Sequence, residues 1–166
     1  MFRGTSEAKV DEKGRLKLPA DFVKIIAEKN YGSQFFITSR DGLAVEIWPL
    51  PEWEKEEEKK AALPEDDEAK LAWMEVVNHF GQQVEIDKQD RLMLPRILRD
   101  RFNLVNEEVA VTGLQKFLKL RSQQTADQRV EGLLAKSESA KAITMAEAQK
   151  QLAAREAGQE TRKTVS

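Results

Sequence analysis

A ten-residue motif occurs twice in this chain, and the duplication constrains the fold more than any other feature. Residues 10–19 read VDEKGRLKLP and residues 86–95 read IDKQDRLMLP. At an offset of 76 they share Asp11/Asp87, Arg15/Arg91, Leu16/Leu92, Leu18/Leu94 and Pro19/Pro95, and Val10 is matched by Ile86. A repeated segment implies a repeated structural unit. The chain has 166 residues, so each unit alone would bury only a marginal core. Packing the two together, or exchanging elements with a neighbouring chain, relieves that shortage.

The surrounding residues repeat in kind. Each motif precedes a helix-like segment, Ala20–Lys29 in the first copy and Arg96–Phe102 in the second. Each helix precedes two β-rich stretches, Gln34–Ser39 and Ala44–Trp48, then Glu108–Gly113 and Phe117–Arg121. Apolar and polar residues alternate in Val45-Glu46-Ile47 and Leu118-Lys119-Leu120, as in half-buried strands. The unit therefore reads strand, tight turn, strand, helix, strand, turn, strand. Between the copies, Pro51 and the glutamates after it open one helix. Residues Glu65–Phe80 carry Leu71, Met74 and Val77, with Trp73, Val76 and Phe80 beside them. That stripe predicts a packed helix. The segments are thus a first repeat (1–53), a helical connector (54–80), a second repeat (81–121) and a tail (122–166). In the tail, Thr144–Glu147 forms a capping-box pattern for a helix to about Ala157, followed by an expected disordered end.

Within the motif, Asp-x-x-(Gly/Asp)-Arg between alternating segments reads as a hairpin with a tight loop. Gly14 supplies a positive φ, and Asp90 is among the few other residues that tolerate one. Asp11 and Asp87 can accept hydrogen bonds from amides inside the turn. Pro19 and Pro95 end the second strand and start the helix. Two readings of Arg15 and Arg91 stand side by side. They form local ion pairs with Asp11 and Asp87 that pin the loop, or they offer their planar forks to phosphate or guanine. Duplication favours the second, because repeated weak contacts gain by effective concentration.

Composition bounds the alternatives. There are no cysteines, so disulfides and thiolate metal sites are excluded. The opening MFRGTSEAKVDEKGR has no apolar run behind its first basic residue, so no secretory signal is expected. No apolar stretch is long enough to span a bilayer, and the reading is a soluble, cytoplasmic chain. The net charge is −2 and the pI is near 5.7, which weighs against binding driven by phosphate neutralisation alone. Much of the acidity, however, lies between Glu52 and Glu68, and the remainder is mildly basic.

The opening MFRG, then DEKGRLKLP, then WPLPEWE at 48–54, then DKQDRLMLP together resemble the MraZ family, within the AbrB-like swapped-hairpin superfamily. The resemblance covers about residues 1–121. It implies a β-rich α+β fold in which two tandem AbrB-like half-barrel motifs interlock as a swapped-hairpin β-barrel with peripheral helices. It also implies homo-oligomeric rings and a nucleoid-associated regulator that binds short direct repeats of double-stranded DNA in the promoter of the cell-division and cell-wall gene cluster. Carried over by position, the DNA contacts are Lys13 and Arg15 in the first loop and Arg91 in the second, with Lys88 beside it. The second loop has Gln89 for Lys13 and Asp90 for Gly14, which makes it the less basic, so Arg15 is expected to be the stronger contact.

Other functions are poorly supported. The single histidine, His79, ends the connector helix, and Asp66-Asp67 sit in a charge run at a helix start. No phosphate-cradling glycine loop or metal-ligand spacing is present, so neither an enzyme, a metal site, a cofactor nor a small-molecule substrate is expected. An oligomeric scaffold with purely structural DxxxR turns is the main alternative. RNA binding is weaker, since no aromatic stacking strand is visible.

Overall fold

The computed structural model describes residues 1–165, without the side chains of 140, 142 and 160–165. The chain divides into two compact units, 1–126 and 127–166. In the first unit the elements run β1 (Thr5–Lys9), β2 (Arg15–Lys17), α1 (Ala20–Glu28), β3 (Gln34–Thr38), β4 (Val45–Pro49), α2 (Leu50–Ala61) and α3 (Glu68–Phe80). The second repeat follows as β5 (Gln82–Glu85), β6 (Arg91–Met93), α4 (Arg96–Phe102), β7 (Glu108–Gly113) and β8 (Leu118–Ser122).

The predicted order of elements is present, and the two copies are intertwined. Six strands form one antiparallel sheet in the order β1-β7-β8-β4-β3-β5, while β2 pairs with β6 in a separate ribbon. Each repeat's first strand leaves its own copy. β1 pairs with β7, and β5 with β3. Replacing every strand by its counterpart in the other repeat returns the same order reversed, so the sheet has an approximate two-fold axis. In the ribbon Leu16 lies opposite Leu92, the same position of the two repeats, so the axis passes through this pair. β1 and β5 are the edges of the sheet, and among the described residues no ladder joins them into a closed barrel.

Alternation explains where the core sits. Phe35 and Ile37 of β3, with Val45 and Ile47 of β4, face a cluster that also holds Leu16, Leu18, Phe22, Leu92, Leu94 and Leu98. This cluster joins the sheet, the ribbon and the helices α1 and α4. Prolines 19 and 95 occupy the N-caps of those two helices. The opposite face of β3 and β4 carries Phe36 and Trp48, which pack with Trp53, Trp73, Val77 and Phe117 beneath α2 and α3.

The connector stripe is only half used. Val77 is buried, and Trp73 and Phe80 are half-buried, but Leu71, Met74 and Val76 remain exposed. In the tail, α5 (Gln123–Val165) begins directly after β8 rather than near Thr144. The Ser122 hydroxyl accepts the Thr125 amide at 3.3 Å, a cap at the helix start, and the Ala-, Gln-, Lys- and Glu-rich sequence has high helix propensity. The end expected to be disordered is helical as far as Val165, and Ser166 lies outside the described residues.

One buried charge braces β4. The Glu46 side chain is 2% exposed, and Arg40 Nε donates to its two oxygens at 2.8 and 3.1 Å. The Arg40 guanidinium also lies over the Trp48 and Phe117 rings, which stack at 4.3 Å. Arg40→Ala strands the carboxylate and is expected to cost roughly 2–4 kcal/mol. Arg40→Met combined with Glu46→Leu should recover most of that loss, which urea unfolding of the single and double variants will measure.

Candidate nucleic-acid interface

The two DxxxR loops have the same internal wiring. The Asp11 carboxylate accepts the Lys13 amide at 3.0 Å, the Arg15 amide at 2.8 Å and Arg15 Nε at 2.7 Å. Asp87 accepts the amides of Gln89 and Arg91 at 2.8 and 2.9 Å, and Arg91 Nε at 2.8 Å. Backbone bonds close each turn, from the Asp11 amide to the Arg15 carbonyl and from the Asp87 amide to the Arg91 carbonyl. Gly14 and Asp90 both have positive φ, 86° and 60°. The local ion-pair reading is therefore present in the structure. It takes only Nε, and the terminal guanidinium nitrogens of Arg15 and Arg91 have no hydrogen-bond partner among the described residues.

The ribbon sets these arginines in one plane. Its register is Arg15 opposite Met93, Leu16 opposite Leu92 and Lys17 opposite Arg91. The leucines are fully buried, so the other four side chains share the outer face. Cross bonds lock the ribbon to the loops: the Leu18 amide donates to the Asp90 carbonyl at 2.9 Å, and the Leu94 amide to the Gly14 carbonyl at 3.0 Å. Lys13 and Lys88 are exposed at the loop tips. The sequence reading missed Lys17 and Met93. The signal available was alternation, since Lys17 stands two residues beyond Arg15.

The two loops carry the same formal charge, because Lys88 in the second offsets Asp90 and Glu12 in the first offsets Lys13. Lys13 and Arg15 face Asp11 and Glu12 in the first, and Lys88 and Arg91 face Asp87 and Asp90 in the second. The difference lies on the ribbon, where Lys17 stands beside Arg91 and Met93 beside Arg15.

A second asymmetry explains Gly14. A Cβ there would lie 2.2 Å from Arg99 Cδ, because Arg99 crosses from α4 to donate to the Lys13 carbonyl at 3.0 Å. The position equivalent to Arg99 in the first repeat is Val23, and the second loop accommodates Asp90. Gly14→Ala meets both the left-handed backbone and Arg99, and is expected to cost about 1–3 kcal/mol. Arg99→Ala in the same chain should remove the steric part but not the backbone part, which a double-mutant cycle in thermal unfolding resolves.

The staples respond to acid in a defined direction. Desolvation pushes the Asp11 carboxyl up, but the Arg15 amide, its guanidinium and the Lys13 amide outweigh it and hold it below the ordinary 3.8. For Asp87 the Arg91 amide leads, opposed by desolvation and joined by the Arg91 guanidinium and the Gln89 amide, and it is held below 3.8 as well. A carboxyl lowered in the folded state binds fewer protons there than in the unfolded chain. Its stabilisation is therefore complete above the unfolded value and is lost as pH falls from there through the folded one. The melting difference between wild type and Asp11→Asn/Asp87→Asn should be largest near neutral pH and shrink below about pH 4.

Asp67 caps α3 by accepting the Lys70 amide at 2.8 Å, and His79 is exposed in the last turn with its ring edge-on to Phe80. Among the described residues no group of three or more metal-ligating side chains gathers, and no helix is long and apolar enough to cross a membrane.

The chain matches the family model described as "MraZ protein, putative antitoxin-like" over residues 1–73 and 81–149. A protein of Acidobacterium capsulatum named "Transcriptional regulator MraZ" is 50% identical over 131 residues, 79% of this chain and 88% of that protein. Proteins of the same name are 38% identical over 131 residues in Koribacter versatilis, with the same coverage, and 32% identical over 117 residues in Haemophilus influenzae, covering 70% of this chain and 78% of that protein. With both repeats inside the matched segments, the chain belongs to the MraZ family.

Proposed function

We propose that this chain is a sequence-specific transcriptional regulator that binds double-stranded DNA through the β2–β6 ribbon and its two loops. The observation that carries the reading is the outer face of the ribbon, where Arg15, Lys17 and Arg91 lie around the two-fold axis between the exposed tips Lys13 and Lys88. A two-stranded ribbon fits the major groove, and arginine is suited to guanine edges and phosphate. The names of the relatives support regulation of transcription. The interlocked repeats are in keeping with the swapped-hairpin arrangement of AbrB-like proteins.

The finer reading concerns assembly and target. Leu71, Met74 and Val76 on α3 are exposed apolar residues, and a neighbouring subunit in a homo-oligomeric ring would cover them. Such a ring arrays the loops at regular spacing, so that several engage short direct repeats together. The promoter is that of the cell-division and cell-wall gene cluster, and the site of action is the cytoplasmic nucleoid. Occlusion of polymerase makes the chain a repressor. The acidic surface elsewhere limits non-specific binding.

Fluorescence anisotropy with duplexes spanning the region upstream of its own gene tests this. Binding should weaken steeply with salt, and tandem repeats should bind more tightly than one. Arg15→Ala should cost about 1–3 kcal/mol of affinity without changing oligomer size. Equal binding by wild type and Arg15→Ala would leave Arg15 as a turn staple and shift the contact to Arg91. No binding at low salt would favour an oligomeric scaffold with structural DxxxR turns.

A further inference from the structure

The outer face of the ribbon departs from its own two-fold axis at one pair of positions. Lys17 and Met93 are equivalent in the two repeats, yet one is a cation and the other is apolar. Leu16 and Leu92, between the outer residues on each strand, are identical and fully buried. Arg15 and Arg91 are also identical, and their staples match within about 0.1 Å. The scaffold is thus held symmetric while the presented chemistry is not. At one end of the ribbon Arg91 sits across from Lys17, and at the other Arg15 sits across from Met93.

Met93 has no evident packing role that would explain it. It is 43% exposed, on the side of β6 facing away from the core. Lys17 occupies the equivalent place on β2, so the backbone there does not require an apolar residue. A methionine beside an arginine at one end of a basic face has a specific use in the major groove. The thymine C5-methyl is the apolar group presented there, and a guanine beside it offers two acceptors to an arginine. Methionine is flexible and polarisable enough to fit a methyl group without a preformed pocket.

We infer that Met93 reads a thymine methyl group next to the base or phosphate held by Arg15, so that the two ends of the ribbon read different chemistry. The Arg15–Met93 end discriminates by apolar contact, and the Arg91–Lys17 end grips the phosphate backbone. A two-fold face would match a palindromic site. This face fixes the direction in which each subunit lies on the duplex. The inference rests on the DNA-binding reading above and adds the partner base.

The test replaces thymine by deoxyuridine, which removes only the methyl group, one position at a time in the upstream duplex. Wild-type protein should lose about fourfold in affinity at one position per repeat, the effect of burying one methyl-sized group. Met93→Lys, which places at 93 the residue already accommodated at 17, should bind thymine and deoxyuridine duplexes equally. It should also steepen the salt dependence by about one phosphate contact, a slope change near 0.9. Salt-sensitive wild-type binding that is indifferent to every deoxyuridine would overturn the role of Met93 and leave the ribbon interface standing. Discrimination that survives in Met93→Lys would assign the methyl contact to another residue and likewise overturn it. Absence of wild-type binding to any of these duplexes at low salt would remove the DNA reading itself.

Discussion

The pairing of β2 with β6 is the constraint on which the rest of the molecule depends. Leu16 and Leu92 meet at the two-fold axis in the centre of the main cluster, and each strand is supplied by a different repeat. Removing either hairpin opens the core of the other, and each fully buried leucine contributes roughly 2–3 kcal/mol by burial alone. The cross bonds from Leu18 to Asp90 and from Leu94 to Gly14 tie each loop to the opposite repeat. The exchange that solves the shortage of core in two short units therefore also fixes the loops. Folding and presentation of the basic face are one interaction.

Placing both copies in one chain gives a freedom that two identical subunits lack. Each loop can diverge while the shared leucines keep the scaffold symmetric. Arg99 crosses to the first loop, so a side chain at position 14 would have to displace it. Val23 stands at the equivalent place, and Asp90 is tolerated at φ 60°. The same freedom extends to the outer face, where Lys17 and Met93 differ. These pairs lie far apart in sequence, and their logic is visible only once the register places them together.

That distinction also marks what could be read from the sequence. The repeat, the hairpin loops, the helix starts at Pro19 and Pro95 and the roles of Asp11 and Asp87 are local, and short-range chemistry dictates them. The exchange of β1 and β5 between repeats, and the meeting of Lys17 with Arg91, depend on pairing across most of the chain. No local pattern carries them. The stripe on α3 was correct as a pattern, but whether Leu71, Met74 and Val76 are covered depends on what lies beside the helix. In the tail, the capping pattern at Thr144 was a real local preference, outweighed by helix propensity running continuously from Gln123.

The ion pair and the nucleic-acid reading of the DxxxR arginines are compatible because they use different atoms. Asp11 and Asp87 take Nε and the amides of their turns. This leaves the terminal nitrogens aimed from a fixed base. A free arginine loses about 2 kcal/mol of rotamer entropy when it is immobilised on a ligand. Here much of that cost is met on folding, so more of the contact energy remains for binding. The carboxylate lowers the net charge of the loop, which weakens attraction to any duplex regardless of sequence. A stapled arginine thus trades non-specific affinity for a defined donor geometry. That trade suits a protein whose contacts are weak singly and become selective when several must fit at once.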